Sequence, residues 1–165
     1  MEYKVIISGF GGQGVLFAGK ILAQAAMSCG LNVSWLPSYG PEMRGGTCNC
    51  KVVVSDGDIS SPAVKRADAL IAMNRPSVEK FAPYTDGVII TDNKFVKLCE
   101  GNAEIIGMDM SLCADGELKG LANIMLLGEL IRHSGIVSEE AVCGILNSIG
   151  KNAEQNIKAL KGPAY

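Results

Sequence analysis

Two short stretches carry the residue types and spacings that suggest chemistry. The first is Gly9-Phe10-Gly11-Gly12-Gln13-Gly14. Gly9, Gly11 and Gly14 fit G-x-G-x-x-G, between an apolar run at Tyr3–Ser8 and an apolar stretch at Val15–Met27. A strand, a glycine turn and a helix in that order leave free backbone N–H groups at a helix N-terminus, whose dipole favours an anion. Glycine also permits positive φ and a close backbone approach. The second stretch is Ser38–Gly46, marked as loop by its glycines and proline, and it carries Tyr39, Glu42 and Arg44. The planar fork of Arg44 suits a phosphate, a carboxylate or a partner's acid. A surface Glu42–Arg44 pair of little energetic worth is the alternative. Because loops at one end of a sheet lie close together, the two stretches are expected to share one functional edge.

Several familiar chemistries are excluded. A dinucleotide site wants an acid at the end of the second strand, roughly 20 residues beyond the turn. Here that strand reads Asn32-Val33-Ser34-Trp35-Leu36-Pro37-Ser38 and has none. A P-loop fails because Gly19-Lys20 is followed by Ile21. A turn that only packs helix against sheet stays open beside the anion reading. The six cysteines are scattered, without C-x-x-C, and only Cys48 and Cys50 are close. At strand spacing Cys48, Cys50, Val52 and Val54 share a face, so they read as small buried hydrophobes rather than metal ligands. An iron–sulfur cluster held by this chain would need about four suitably spaced thiolates. His133, the only histidine, falls near a helix C-terminus, where a cation is favoured. No set of catalytic residues emerges, and no metal site.

The elements that must position these residues follow from the pattern. The chain has 165 residues and reads as a single domain, 1–165. Short apolar strands alternate with helices, which predicts a three-layer, Rossmann-like α/β fold with a mostly parallel central sheet and C-terminal helices. Strands are expected at 3–8, 32–38, 67–73, 87–91 and 103–108, and Thr47–Ser55 alternates enough to be a hairpin or edge strand. Pro62 is expected to open a short helical segment and Pro76 another. The last third is helical: Leu118–His133, a helix capped by Ser138 and broken by Gly150, and Lys151–Lys161. Asn123, inside an apolar run, reads either as a capping or loop-binding amide or as a satisfied core group. The helix after the turn has only a narrow polar stripe, Lys20, Gln24 and Ser28. Its far side is covered either by a partner or by more of the same fold. Charged residues make up only 19%, so some surface is expected to meet protein. The net charge of −2 and the absence of a basic cluster speak against nucleic acid. Without a signal peptide or an apolar run near 18 residues, the expectation is a cytoplasmic chain with no membrane partner.

The run I-I-S-G-F-G-G-Q-G-V at Ile6–Val15, with S-Y-G-P-E-M-R-G-G at Ser38–Gly46, resembles the gamma subunit of 2-oxoacid:ferredoxin oxidoreductases. V-V-V-S at Val52–Ser55, I-S-S-P at Ile59–Pro62, A-D-A-L-I-A-M-N at Ala67–Asn74 and A-N-I-M-L-L-G at Ala122–Gly128 extend it. The resemblance implies an enzyme that oxidatively decarboxylates a 2-oxoacid, transfers the acyl group to coenzyme A and passes electrons to ferredoxin. It implies that this chain is inactive alone and binds no cofactor alone. Thiamine diphosphate and the iron–sulfur clusters would sit on partners: thiamine-binding alpha and beta subunits, with room for a ferredoxin-like delta subunit. The gamma domain would help shape the coenzyme A site, with Gly9, Gly11, Gly12, Gln13, Gly14, Tyr39, Glu42 and Arg44 at that anion or partner edge. The chain's length suggests a stand-alone subunit. The substrate order expected is 2-oxoglutarate, then branched-chain 2-oxoacids, then pyruvate or indolepyruvate. A nucleotide-binding or regulatory module, and a purely structural subunit, are the alternatives.

Overall fold

A computed structural model of the chain describes residues 1–38 and 47–163. Among the described residues six strands form one sheet: β1 (Glu2–Gly9), β2 (Asn32–Pro37), β3 (Cys48–Ser55), β4 (Ala67–Ala72), β5 (Thr85–Asp92) and β6 (Glu104–Met108), in the order β2-β3-β1-β4-β5-β6. β1, β4, β5 and β6 pair in parallel. β3 runs antiparallel to both β1 and β2, so it alone points against the others. Thr47–Ser55 is therefore not an edge strand. All eight of its β-residues pair with β1, and β2 closes its other side. Ladder bonds on both sides explain why nearly every residue of β3 is buried.

Among the described residues there are five α-helices, α1 (Val15–Ser28), α2 (Arg75–Phe81), α3 (Ala122–Ser134), α4 (Glu139–Ile149) and α5 (Ala153–Lys161); α1, α2 and α3 pack on the sheet, and α4 and α5 pack on α1 and α3. The strand period of two sorts the core into two faces. Val5, Ile7, Cys50, Val52 and Ile71 pack against α1 and α3. Ile6, Val53, Leu70 and Ile89 pack against α2 on the other face. The far side of α1 meets α4, so the breadth of its apolar surface is accounted for within the chain. Cys48, Cys50, Val52 and Val54 share the α1 face, all buried. Ser138 caps α4 by accepting from Ala141 N at 3.1 Å, with Glu139 and Glu140 at the positive end of that helix.

Pro62 opens no helix; residues 57–66 are irregular. Local side-chain bonds compete for the backbone there. The Glu2 carboxylate accepts from Ser60 N and Ser60 Oγ at 2.7 and 2.8 Å, and Ser61 Oγ accepts from Ala63 N. α3 likewise starts later than its apolar run, at Ala122, after two short 3-10 turns at Met110–Cys113 and Gly116–Leu118. Those turns bring the segment before α3 over the carboxyl end of the sheet, beside the glycine turn.

Candidate functional site

α1 and α2 lie on opposite faces and follow the neighbouring parallel strands β1 and β4. A crevice outside the carboxyl ends of such strands is where open α/β sheets bind ligands. The crevice here is a cleft of about 280 Å³, lined in part by Gly12 and Gln13 after β1, Met73 after β4, Asp92 and Lys94 at the end of β5, and Ala122 on α3. Met110, Cys113 and Leu126 complete its apolar wall.

The glycine turn is held from several directions. Gly9 ends β1 with Met73 N donating to Ser8 O at 2.8 Å, which ties β1 to the end of β4. Gln13 is half-buried on the cleft: its Oε1 accepts from Phe10 N at 2.6 Å and its Nε2 donates to Met73 O at 3.4 Å. It braces the turn against β4. Gly12 is exposed, has φ 88° and has open space where a Cβ would stand. Gly14 has φ 73°, and a Cβ there would collide with the amide of Asn123. α1 has no side-chain cap and no acidic residue in its first turn, so nothing on the helix neutralises its positive end.

Asn123 is the loop-binding amide. It is 5% exposed, and its Nδ2 donates to Gly14 O at 3.0 Å across 109 residues of sequence. Its Oδ1 is buried without a partner among the described residues. Asn123 thus clamps the glycine turn to α3, and with it both walls of the cleft. Asn123→Ala is expected to lower stability by about 1 kcal/mol, because the lost hydrogen bond is partly offset by removing the unsatisfied Oδ1. The midpoint of urea unfolding checks this; an unchanged midpoint would mean that the clamp carries no load.

Tyr39, Glu42 and Arg44 lie outside the described residues. Their flanks do not: Ser38 N donates to Asn49 O at 2.8 Å, and Cys48 stands opposite Gly9 in the β1–β3 ladder. Asn49 is buried at the same rim, with both side-chain polar atoms without a hydrogen-bond partner among the described residues. The residues that sequence reasoning missed are Met73, Asp92, Lys94 and the 110–122 segment. Each comes from a different strand end, so no local spacing signals them.

Burial raises the Cys113 thiol, and hydrogen bonds from the Ser111 hydroxyl and backbone N–H lower Asp109, which caps the 3-10 turn Met110–Cys113. Among the described residues no group of three or more His, Cys, Asp or Glu side chains is placed to hold a metal ion. No helix among them is long and apolar enough to cross a membrane. The arrangement can bind and orient a ligand against a backbone turn and one ammonium group.

The family described as Pyruvate ferredoxin/flavodoxin oxidoreductase matches residues 4–162. The ketoisovalerate oxidoreductase subunit VorA of Methanothermobacter thermautotrophicus is 41% identical over 133 residues, covering 79% of this chain. The chain spans only 28% of that relative's length, and 17% of its Methanothermobacter marburgensis counterpart. The 2-oxoglutarate synthase subunit KorC of Methanocaldococcus jannaschii is 35% identical over 164 residues, covering 94% of this chain and 88% of the relative. Among solved structures, the gamma subunit of a keto/oxoacid ferredoxin oxidoreductase from Geobacter sulfurreducens superposes with a TM-score of 0.84 at 32% identity, over 96% of this chain and 94% of that one.

Proposed function

The chain belongs to the pyruvate ferredoxin/flavodoxin oxidoreductase family, and from that premise we propose that it works as the gamma subunit of a 2-oxoacid:ferredoxin oxidoreductase. The reaction is the oxidative decarboxylation of a 2-oxoacid to its acyl-coenzyme A, with electrons passed to ferredoxin. Thiamine diphosphate on a partner supplies the nucleophile for carbon–carbon cleavage, clusters on partners take the electrons, and coenzyme A takes the acyl group. This chain's part is to pack on the thiamine-binding alpha and beta subunits and to form one wall of the coenzyme A site. A ferredoxin-like delta subunit completes the assembly, and the setting is the cytoplasm.

One observation carries this reading. A cleft stands at the sheet's switch point with a glycine turn, one cation and an apolar wall, yet no catalytic set lies among its described residues. Gly9, Gly11, Gly12, Gln13 and Gly14 form the backbone frame of that edge. Tyr39, Glu42 and Arg44 are proposed to border it, since the loop's flanks sit beside β1's end. Phe10 is 48% exposed and Leu112 43%, and both belong to segments that line the cleft, so they offer apolar surface to a partner.

The proposed substrate is 2-oxoglutarate, supported by KorC relatives that align along nearly their whole length. A branched-chain 2-oxoacid is the second reading, favoured by the higher identity to the ketoisovalerate subunits. The test is reconstitution from separately purified subunits. Alone, the chain should give no 2-oxoacid-dependent reduction of a viologen dye. The partners should gain coenzyme A-dependent reduction when it is added. Full activity of the partners without it would refute the proposal.

A further inference from the structure

We infer that Lys94 binds the anionic end of the cleft's ligand and that Asp92 is a built-in competitor, holding the ammonium until the ligand replaces it. This rests on the reading of the cleft as a site for a phosphate-bearing cofactor. Among the described residues that line the cleft, Lys94 is the one cation and Asp92 the one anion.

The two are not held alike. Asp92 caps the 3-10 turn that follows β5, its Oδ1 accepting from Lys94 N at 3.1 Å. Its Oδ2 meets Lys94 Nζ at 3.1 Å, with the Asp92 side chain 16% exposed and that of Lys94 67%. The carboxylate is therefore held by a backbone N–H as well as by the ammonium and is mostly buried, while the ammonium end is mostly exposed to water. Lys94 Nζ also lies 5.0 Å from the Phe95 ring centroid, so the side chain is folded back along its own turn. An ion pair whose cation is this exposed to water contributes little and is easily exchanged. A charge-assisted bond to a phosphate oxygen is among the stronger hydrogen bonds.

Met73, Met110 and Leu126 give the same cleft an apolar wall. The ligand class is thus an anion with an apolar body, meeting Lys94 through phosphate. Coenzyme A and thiamine diphosphate share that chemistry through their diphosphates.

The assembled enzyme distinguishes them. Lys94→Gln, Lys94→Arg and Asp92→Asn are compared by the KM for coenzyme A and by the thiamine diphosphate concentration that half-reactivates apoenzyme. Lys94→Gln should raise one of these constants about tenfold and leave the KM for the 2-oxoacid in place. Lys94→Arg should restore most of the loss, and Asp92→Asn should lower the same constant about threefold by freeing the cation. Whichever constant moves identifies the cofactor. Calorimetric titration of both cofactors into the wild-type and Lys94→Gln assemblies gives the same answer without turnover. The inference is overturned if Lys94→Gln changes binding of neither cofactor, or if Asp92→Asn weakens it. A wild-type assembly that binds these cofactors but reduces no dye with any 2-oxoacid contradicts the functional reading instead.

Discussion

Gly12→Asp should raise the KM for coenzyme A at least about tenfold relative to Gly12→Asn, in assemblies that form equally well. The pair isolates charge. Gly12 has φ 88°, with nothing within 4 Å of a built Cβ, so either side chain fits and both meet the same backbone strain. Asparagine and aspartate are the residues that best tolerate this left-handed region. What separates them is a carboxylate placed at the turn where α1 begins and on the rim of the cleft. In a partly enclosed site, repulsion of a phosphate by a unit charge at close range is worth about 1.4 kcal/mol or more, which is tenfold in binding. Equal values for the two variants, both near wild type, would mean that coenzyme A does not approach the turn.

The second large effect is chemical. Cys50 lies on the α1 face of β3 with its thiol donating to Val15 O at 3.7 Å, and burial pushes its pKa up to about 12. Against an ordinary value of 9.0, that leaves about a thousandfold less thiolate at neutral pH. Cys29 is exposed at the end of α1. Alkylation followed by peptide mass mapping should modify Cys29 readily and Cys50 only on unfolding. Equal labelling in the native state would show that β3 opens. The sign for stability follows. A thiol whose pKa is raised in the folded state contributes fully below pH 9 and loses that contribution as pH climbs toward its folded value. Cys48, Cys99, Cys113 and Cys143 shift the same way through burial, so unfolding should become easier above about pH 9.

The turn, the strands and the C-terminal helices were legible because each announces itself over a few consecutive residues. Gly9–Gly14 sits at the carboxyl end of β1, and Ser138 and Gly150 bound α4. The place of β3 was legible only in part: it pairs antiparallel with the preceding strand β2, as the hairpin reading has it, but its position between β2 and β1 was not. Alternation says that a strand has two unlike faces, but it does not say which neighbours take its edges. Pro62 misled because proline marks a first helical turn only where nothing else claims the backbone, and Ser60 and Ser61 do. The role of Asn123 stayed open because an amide in an apolar run does not name its partner, which here lies 109 residues away. The Asp92–Lys94 pair was missed for the same reason: β5 looks ordinary until the sheet order brings its end beside the glycine turn. The contribution of Tyr39, Glu42 and Arg44 stays a proposal.

The central claim is that this chain serves a 2-oxoacid oxidoreductase without doing chemistry itself. The most direct measurement is to tag the chain in its native source, purify it gently, identify what accompanies it, and assay the eluate. Thiamine-binding chains should co-purify in fixed ratio, and the eluate should reduce ferredoxin only with both a 2-oxoacid and coenzyme A present. Recovery of the chain without such partners, or reduction that needs neither substrate, would contradict the account.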